Sequence, residues 1–479
     1  MQNYWCYLSE FLKIVTQEDI EAYLVGGFIR DLYIKKNVKD IDIVLKERVA
    51  EIARYFADIN NGYFVILDDN RSIYRVIIKN ISFDFVKMIG SSIEEDLSRR
   101  DFTINAIALS LNGDMDNEVI NFLQSINEMP LKDIRKSGLL IDPYSGLGDL
   151  KNKKISIIKS NVFKEDPLRL WRAIRLKRHL SFDISIETIK TMKEDRNLAA
   201  EPAVERIREE LVKIFSGDKV SSIVEYMEDC FSLLSKLIPD IIEMKKIGEN
   251  QYHQEDAWSH CVLVLKMLEK YLSNEKYYKL LDEENIYLLK ISALLHDIGK
   301  IKTRIIKNKK VHYYGHEYKG SEMLASTLKK LKFSNFEISY IRKVIRYHMR
   351  PMMLYIADNL TDKGRFRFFK QVGTMTPAVL IHSLADKTAG MLVNQRHEEI
   401  AVYQKFINNL LELYGEYRDR TASLYLNGRE IIKELSIQEG PYIGKLLDKL
   451  TEAQAEEEVR NKEEAVKYLK NIIQKDLKL

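Results

Sequence analysis

The sequence predicts an α/β head built on a mixed sheet, followed by a helical remainder, and three observations carry that division. Residues 21–150 contain short apolar runs separated by glycine and other turn residues. From about residue 160 the apolar positions recur at i, i+3 and i+4. Gly and Pro number only 20 and 8 in 479 residues, which disfavours long disordered tracts.

Taken in order, residues 1–20 read as an amphipathic helix, AYLVGG as a strand ending in a glycine turn, FIRDLYI as a helix and DIDIVL as a strand. GYFVILDD, YRVIIK and ISFDFVKM continue as strands, and RRDFTINAIALSL reads as a helix. Beyond residue 160, DPLRLWRAIRLKRHL, VERIREELVKIF and SSIVEYMEDCFSLLSKL all carry helical spacing. A chain of this length holds several domains. The expected divisions are a head over 1–155, a helical neck over 156–250, a histidine-bearing helical domain over 251–395 and a charged helical tail over 396–479.

Charged residues make up 30 %, yet the net charge is only +4, so bulk charge does not point to a nucleic-acid coat protein. Cys6, Cys230 and Cys261 form no CxxC and no even framework, which suits a reducing compartment. The start lacks a basic stretch with a cleavage site, and no apolar run approaches the roughly 20 residues of a membrane span. The expectation is a cytoplasmic protein with no membrane partner.

The central motif is GGFIRD…KDIDIVL, residues 26–45. Carboxylates at i and i+2 on a strand share one face, so Asp40 and Asp42 project together and can share hard cations such as Mg²⁺. Two metals about 4 Å apart activate an attacking hydroxyl and neutralise a leaving pyrophosphate. Asp84 in ISFDFVK is a third strand carboxylate and a candidate ligand. Gly26 and Gly27 let backbone approach a phosphate, the next helix aims its amides at it, and Arg30 lies one turn in. Taken separately, GG also reads as a turn and DID as an exposed edge strand.

Residues 23–45 resemble the signature of the polymerase-β-type nucleotidyltransferases, specifically bacterial-type tRNA CCA-adding enzymes and their poly(A) polymerase relatives. RRDFTINAIAL (99–109), LIDPYSGLGDL (140–150), EDPLRLWRAIRL (165–176) and ERIREEL (205–211) resemble further blocks of that family in the same order. The resemblance implies CTP, and ATP as a second substrate, joined to a tRNA 3′ end without a nucleic-acid template. It also implies Glu165, Asp166 and Arg169 as the residues that read the base. Asp166 and Arg169, three apart on an expected helix, share a face and offer an acceptor and a donor like a Watson–Crick edge. Glu165 can orient Arg169, while Arg172 and Arg175 extend the basic stripe toward phosphates. The alternative is a surface helix with ordinary salt bridges. Arg100, Asp101 and Asn105 are candidate nucleotide contacts, Asp101 and Asn105 lying on one expected helix face; Asp101 also reads as a helix cap.

Members that add the terminal A carry a longer segment before RRDFTINA. Here only FVKMIGSSIEEDLS separates Asp84 from Arg99, so the resemblance is closest to CC-adding members. An extra segment over 112–138 is either a surface elaboration or a replacement for that longer segment.

In the middle region, His260, His296, Asp297, His316, His348 and Asp386 form an ordered set that resembles the HD phosphohydrolases. The resemblance implies one metal on His260, His296, Asp297 and Asp386, with His316 and His348 completing a second site. Mn²⁺, Ni²⁺, Fe²⁺ or Mg²⁺ suit such ligands. Both an active phosphohydrolase and a degenerate scaffold fit the sequence. LYLNGREIIKELSIQEGPYIGKLLDKL (424–450) resembles the tRNA-binding tail of the same enzymes, with Gly428, Gly440, Pro441 and Gly444 punctuating its helices. The same head serves poly(A) polymerases, so that product remains an alternative, as does a phosphohydrolase acting on RNA ends.

Overall fold

Strand β2 (Asp40–Leu45) shows how the head is organised: Ile41 and Ile43 are fully buried on one face, and Asp40 and Asp42 turn to the other. The computed structural model describes residues 4–38, 40–112, 116–130, 133–134, 137–248, 256–357 and 361–476. These residues divide into two compact units, 1–202 and 203–479.

In the first unit, β1 (Ala22–Val25) lies antiparallel to β2, with Val25 opposite Asp42. β5 (Ile81–Lys87) lies parallel to β2 on its other side and places Asp84 opposite Asp42. A parallel neighbour requires a crossover. It runs through a helix, Val49–Ile59, and a hairpin of β3 (Tyr63–Asp68) and β4 (Ile73–Ile78). With β6 (Ala108–Ser110) and β7 (Leu140–Ile141), the strand order is β3-β4-β5-β2-β1-β6-β7, the expected mixed sheet.

Aromatic packing decides which face the carboxylates occupy. Phe11 from the helix Tyr4–Gln17 and Phe56 from Val49–Ile59 meet Phe85 and Phe83 edge-on, with ring centroids 5.4 and 5.1 Å apart. Edge-on pairs of this kind add about 0.5–1.5 kcal/mol each beyond the area they bury. Asp84 lies between Phe83 and Phe85 in sequence and therefore points away from those helices, as Asp40 and Asp42 do. Beneath the carboxylate face sits a second apolar cluster that includes Val25, Val44, Leu97 and Ala106.

Two expectations about local structure are corrected. RRDFTINAIALSL is not a helix: Thr103–Asn105 is one 3₁₀ turn, and Ala108–Ser110 is the strand β6 paired with β1. Ile107, Ala108 and Leu109 are buried all round, and a short apolar run carries no period that separates strand from helix. Asp166 does not lie on a helix with Arg169. The residue before a proline is pushed out of the α region, and Asp166, preceding Pro167, is extended at φ −146° and ψ 97°. The helix begins at Arg169 and runs to Leu180.

Between Asp84 and Arg99 the chain is short and tightly tied. Ser92 caps the helix Ile93–Leu97, Asp96 accepts from the Ile89 amide and Glu95 from the Ser91 amide. Of the 112–138 segment, Asp116–Ser125 is helical, and residues 113–115, 131–132 and 135–136 lie outside the described residues.

The second unit is helical apart from a two-stranded hairpin, β8 (Ile305–Lys307) and β9 (Lys310–His312), that helical periodicity did not foretell. Its signal was the Asn308–Lys309 pair between two short runs. The tail helices Gly428–Leu435, Pro441–Ala455 and Lys462–Asp476 share their own core around Ile431, Leu446 and Leu469. No helix among the described residues is long and apolar enough to cross a membrane.

Candidate active site and metal centre

The head site starts from two strands and a turn. The β2–β5 register sets Asp42 beside Asp84, and Asp40 lies two residues before Asp42 on the same face. Burial pushes the Asp42 carboxyl above the usual range; Asp84 and Asp40 push it further, and Arg100 and Arg30 offset part of that. A buried acid crowded by two others is the environment a divalent cation relieves. Asp84 is not idle. Arg75, directly opposite it on β4, donates from Nε and a terminal nitrogen to both its oxygens at 2.7 Å. The sequence reading missed Arg75; its signal is the cross-strand register, which no linear pattern contains.

Gly26 follows β1 with φ +69° and ψ −131°, a region that side chains rarely enter. A Cβ there would stand 3.0 Å from Arg100 Nη1 and 3.2 Å from Asp42 Oδ2. Gly26→Ala is therefore expected to cost about 1–3 kcal/mol in urea unfolding by displacing both groups. An unchanged urea midpoint would rule out this packing.

A polar network joins the turn at 99–105 to the segment at 165–176. Asp101 is buried and accepts from the Phe102 amide, from Asn105 at 2.9 Å and from Arg172 at 2.6 Å. Asn105 in turn accepts from Arg30 at 2.5 Å, and Arg30 also pairs with Asp31 at 2.8 Å. Arg169 donates to the carbonyls of Arg99 and Val162 and lies 3.5 Å from Glu165. Asp166 accepts from the Leu168 amide at 3.2 Å. Arg175 is half-buried on the same helix. Asp101 and Asn105 meet as expected, though through a turn and not a helix. Arg30 and Arg172 spend their guanidiniums inside the protein, on Asn105 and Asp101.

Burial pushes Asp101 up, but the Arg172 guanidinium and the hydrogen bonds from Asn105 and Phe102 outweigh it and hold the carboxyl below its usual range. A lowered folded pKa stabilises above the unfolded value, about 3.9, and the gain is lost as pH falls through the folded value. The stability difference between the protein and Asp101→Asn should thus be full above about pH 5 and shrink below about pH 4. Urea titrations across that range check it; a difference independent of pH would contradict the network.

In the second unit, five helices bring six side chains together. His260 lies on Ala257–Leu272, His296 and Asp297 follow Ile286–Leu295, His316 opens His316–Lys330, His348 ends Asn335–Tyr347, and Asp386 lies on Thr376–Val393. His260 Nε2 is 3.0 Å from Asp386, His316 Nε2 is 3.2 Å from Asp297 and 3.3 Å from His348 Nε2, and His296 Nε2 is 3.4 Å from Asp297. Among the described residues, three sets have ligand atoms close enough for one cation: His260, His296 and Asp386; Cys261, His296 and Asp297; and Asp297, His316 and His348. The Nδ1 atoms of His296, His316 and His348 each face a carbonyl three residues earlier, at 2.9, 2.9 and 2.6 Å. That contact holds the proton on Nδ1 and leaves Nε2 as a lone-pair donor.

Burial keeps His296 and His348 below the ordinary histidine range. Asp297 is buried, yet Lys300 at 2.6 Å and the neighbouring histidines hold it well below the carboxylate range, and the hydrogen bond to His260 does the same for Asp386. The neutral imidazoles of His296 and His348 and the ionised carboxylates are the protonation states a metal requires. Burial lowers His316, but its hydrogen bond to Asp297 outweighs that and raises it. Gly299 permits the assembly: a Cβ there would strike the His316 carbonyl. Two members escaped the sequence reading. Lys300 pairs with Asp297. His382, one turn before Asp386, packs its ring 5.1 Å from His296, with neither nitrogen partnered among the described residues.

Comparison with known proteins places these elements. Residues 22–156 match the poly A polymerase head domain, 257–391 the HD domain, and 181–244 the probable RNA and SrmB-binding site of polymerase A. An A-adding tRNA nucleotidyltransferase of Deinococcus radiodurans is 28 % identical over 93 % of this chain and 94 % of its own. A CC-adding tRNA nucleotidyltransferase of Synechocystis is 25 % identical over 94 % of each. A multifunctional CCA protein of Actinobacillus pleuropneumoniae is 30 % identical over 72 % of this chain and 81 % of its own. A Thermotoga maritima CCA-adding enzyme solved with tRNA shares the fold, with TM-score 0.60 at 21 % identity over 98 % of this chain and 95 % of its own. With these three family matches together and a relative 30 % identical over most of its length, the chain belongs to the bacterial-type tRNA nucleotidyltransferases, the family of CC-, A- and CCA-adding enzymes.

Proposed function

We propose that the protein extends the 3′ end of tRNA with cytidine, adding CC or CCA from CTP and ATP, with Mg²⁺ in the head. The observation that carries this is the junction at 99–105. Arg100 reaches toward Asp42, Arg99 receives Arg169, and Asp101 receives Arg172, so the carboxylate strand and the base-reading segment meet through one turn.

The terminal 3′ oxygen of the tRNA attacks the α-phosphorus, a new O–P bond forms, and the bridging bond to the β-phosphate breaks to release pyrophosphate. Asp40 and Asp42 would hold divalent ions, with Asp84 a third carboxylate to the extent that Arg75 releases it. Bound there, such ions lower the pKa of the attacking hydroxyl and neutralise the leaving pyrophosphate. Gly26 and Gly27 leave room for the triphosphate, and Arg100 faces it from beside Asp42. Asp101 and Asn105, locked by Arg172 and Arg30, are placed to meet ribose hydroxyls. Asp166 and Arg169 read the base edge, and Glu165 steadies Arg169. Arg175, half-buried on the same helix as Arg169, extends the basic stripe toward phosphates. In the second unit, His260, His296, Asp297 and Asp386 would hold one divalent transition metal or Mg²⁺, with His316 and His348 at a second. Three free cysteines, one of them fully buried, suit a reducing cytoplasm.

The tied segment between Asp84 and Arg99 favours CC as the product, and the names of the relatives favour tRNA over generic RNA as substrate. The test is product size. Transfer RNA ending at the discriminator base is incubated with CTP alone and then with CTP plus ATP, and tRNA ending in CC with ATP. Two added residues in both of the first lanes establish CC addition, and a third with ATP establishes CCA. Addition of A only to the CC-ended substrate, or long A tracts on generic RNA, would overturn the reading.

A further inference from the structure

Beside the histidine–aspartate cluster stands a basic hairpin with no counter-charge among the described residues. β8 and β9 pair antiparallel, Ile305 opposite His312, through Asn308 and Lys309 at φ 53° and 60°, the turn whose twist matches a two-residue hairpin. Both ends of the hairpin lead into the cluster. Lys300, which pairs with Asp297, starts the short helix just before β8. Tyr313, just after β9, gives its carbonyl to His316.

From Ile298 to His316 the chain carries six Lys and Arg residues and no Asp or Glu. Lys300 is buried, but Lys302, Arg304, Lys307, Lys309 and Lys310 are exposed, and none has an ion-pair partner among the described residues. Elsewhere on this unit exposed lysines are commonly paired, as Lys279 is with Glu275 and Lys462 with Glu430. Apolar and aromatic groups lie among these cations. Ile306 is 65 % and Tyr314 66 % exposed, and the His312 ring stacks on Tyr314 at 5.1 Å with the planes 10° apart.

Unpaired cations at this density seek a polyanion, and exposed flat rings offer what phosphates alone do not need. Anionic lipid or an acidic peptide would use the charges and leave the rings idle, and a duplex keeps its bases stacked on one another. Single-stranded RNA uses both, phosphates on cations and bases on aromatic faces. We propose that the hairpin 305–314 is a docking site for single-stranded RNA, with the phosphate backbone along Lys307, Lys309 and Lys310 and a base stacked against Tyr314. The strand is thereby held beside the histidine–aspartate cluster. This site is separate from nucleotidyl transfer in the head, so its failure leaves that function standing.

The test uses the full chain and a fluorescein-labelled uridine octamer, read by anisotropy between 50 and 200 mM KCl. The triple variant Lys307→Glu, Lys309→Glu, Lys310→Glu is expected to bind at least about tenfold more weakly at low salt. Its slope of log affinity against log salt should flatten by about 2, since each single-strand phosphate contact contributes about 0.7. Tyr314→Ala should weaken binding roughly tenfold, within the range for one stacked base, with little change in slope. A 5-iodouridine octamer should crosslink within 304–314, and circular dichroism confirms that the variants, all altered at exposed positions, remain folded. Unchanged affinity and slope in the triple variant, crosslinks confined to the head, equal affinity for a duplex, or a charge-dependent loss seen only with phosphatidylserine vesicles would each overturn the proposal.

Discussion

Asp42→Asn is expected to lower nucleotide incorporation by about 10³-fold or more, because loss of a ligand to the reacting ions removes several kcal/mol of transition-state stabilisation, about 1.4 kcal/mol per factor of ten. The same substitution should leave the fold intact or firmer. The Asp42 carboxyl is held above its usual range by burial and by its two acidic neighbours. An acid with a raised folded pKa favours the folded state at low pH, and that contribution is lost as pH rises through the folded value. At neutral pH in chelator, the asparagine variant should therefore melt at or above the temperature of the unaltered protein. Single-turnover incorporation of labelled CTP and calorimetry in EDTA give the two readouts. Lost activity with an equally large loss of stability would reduce Asp42 to a structural residue.

Asp297→Ala should have the largest effect on stability, about 3–5 kcal/mol, because it leaves the buried ammonium of Lys300 without its partner. The carboxylate also holds His316 at 3.2 Å. The double variant Asp297→Ala with Lys300→Met should recover most of that loss, since a buried ion pair exchanged for apolar groups is often neutral. Mn²⁺ or Ni²⁺ at a hundredfold excess over its dissociation constant is expected to stabilise the unaltered chain by about 2.7 kcal/mol per site, and both variants should lose part of that gain. Denaturant unfolding and calorimetry with and without metal measure this. A double variant no more stable than the single one would show that the pair is not the source of the loss.

Much of this molecule is written in local pattern. Alternation alone put Asp40 and Asp42 on one face of β2, since a strand leaves successive side chains no other choice. The glycine turn ahead of them, the helical period after residue 160 and the ordered histidines were equally legible. Tertiary structure decided what depends on pairing or on backbone context. Whether Ile107–Leu109 is strand or helix was settled by β1, which needed an antiparallel neighbour. Pro167 held Asp166 extended and off the helix of Arg169, although their spacing suited one. Arg75 became the partner of Asp84 through register across β4 and β5, and Arg30 and Arg172 turned inward to Asn105 and Asp101. His382 joined the histidine–aspartate cluster beside His296 only when helices distant in sequence packed together. Sequence determines which groups a short segment presents on each side. Which of them meet is set by packing between segments, and linear spacing carries no record of those distances.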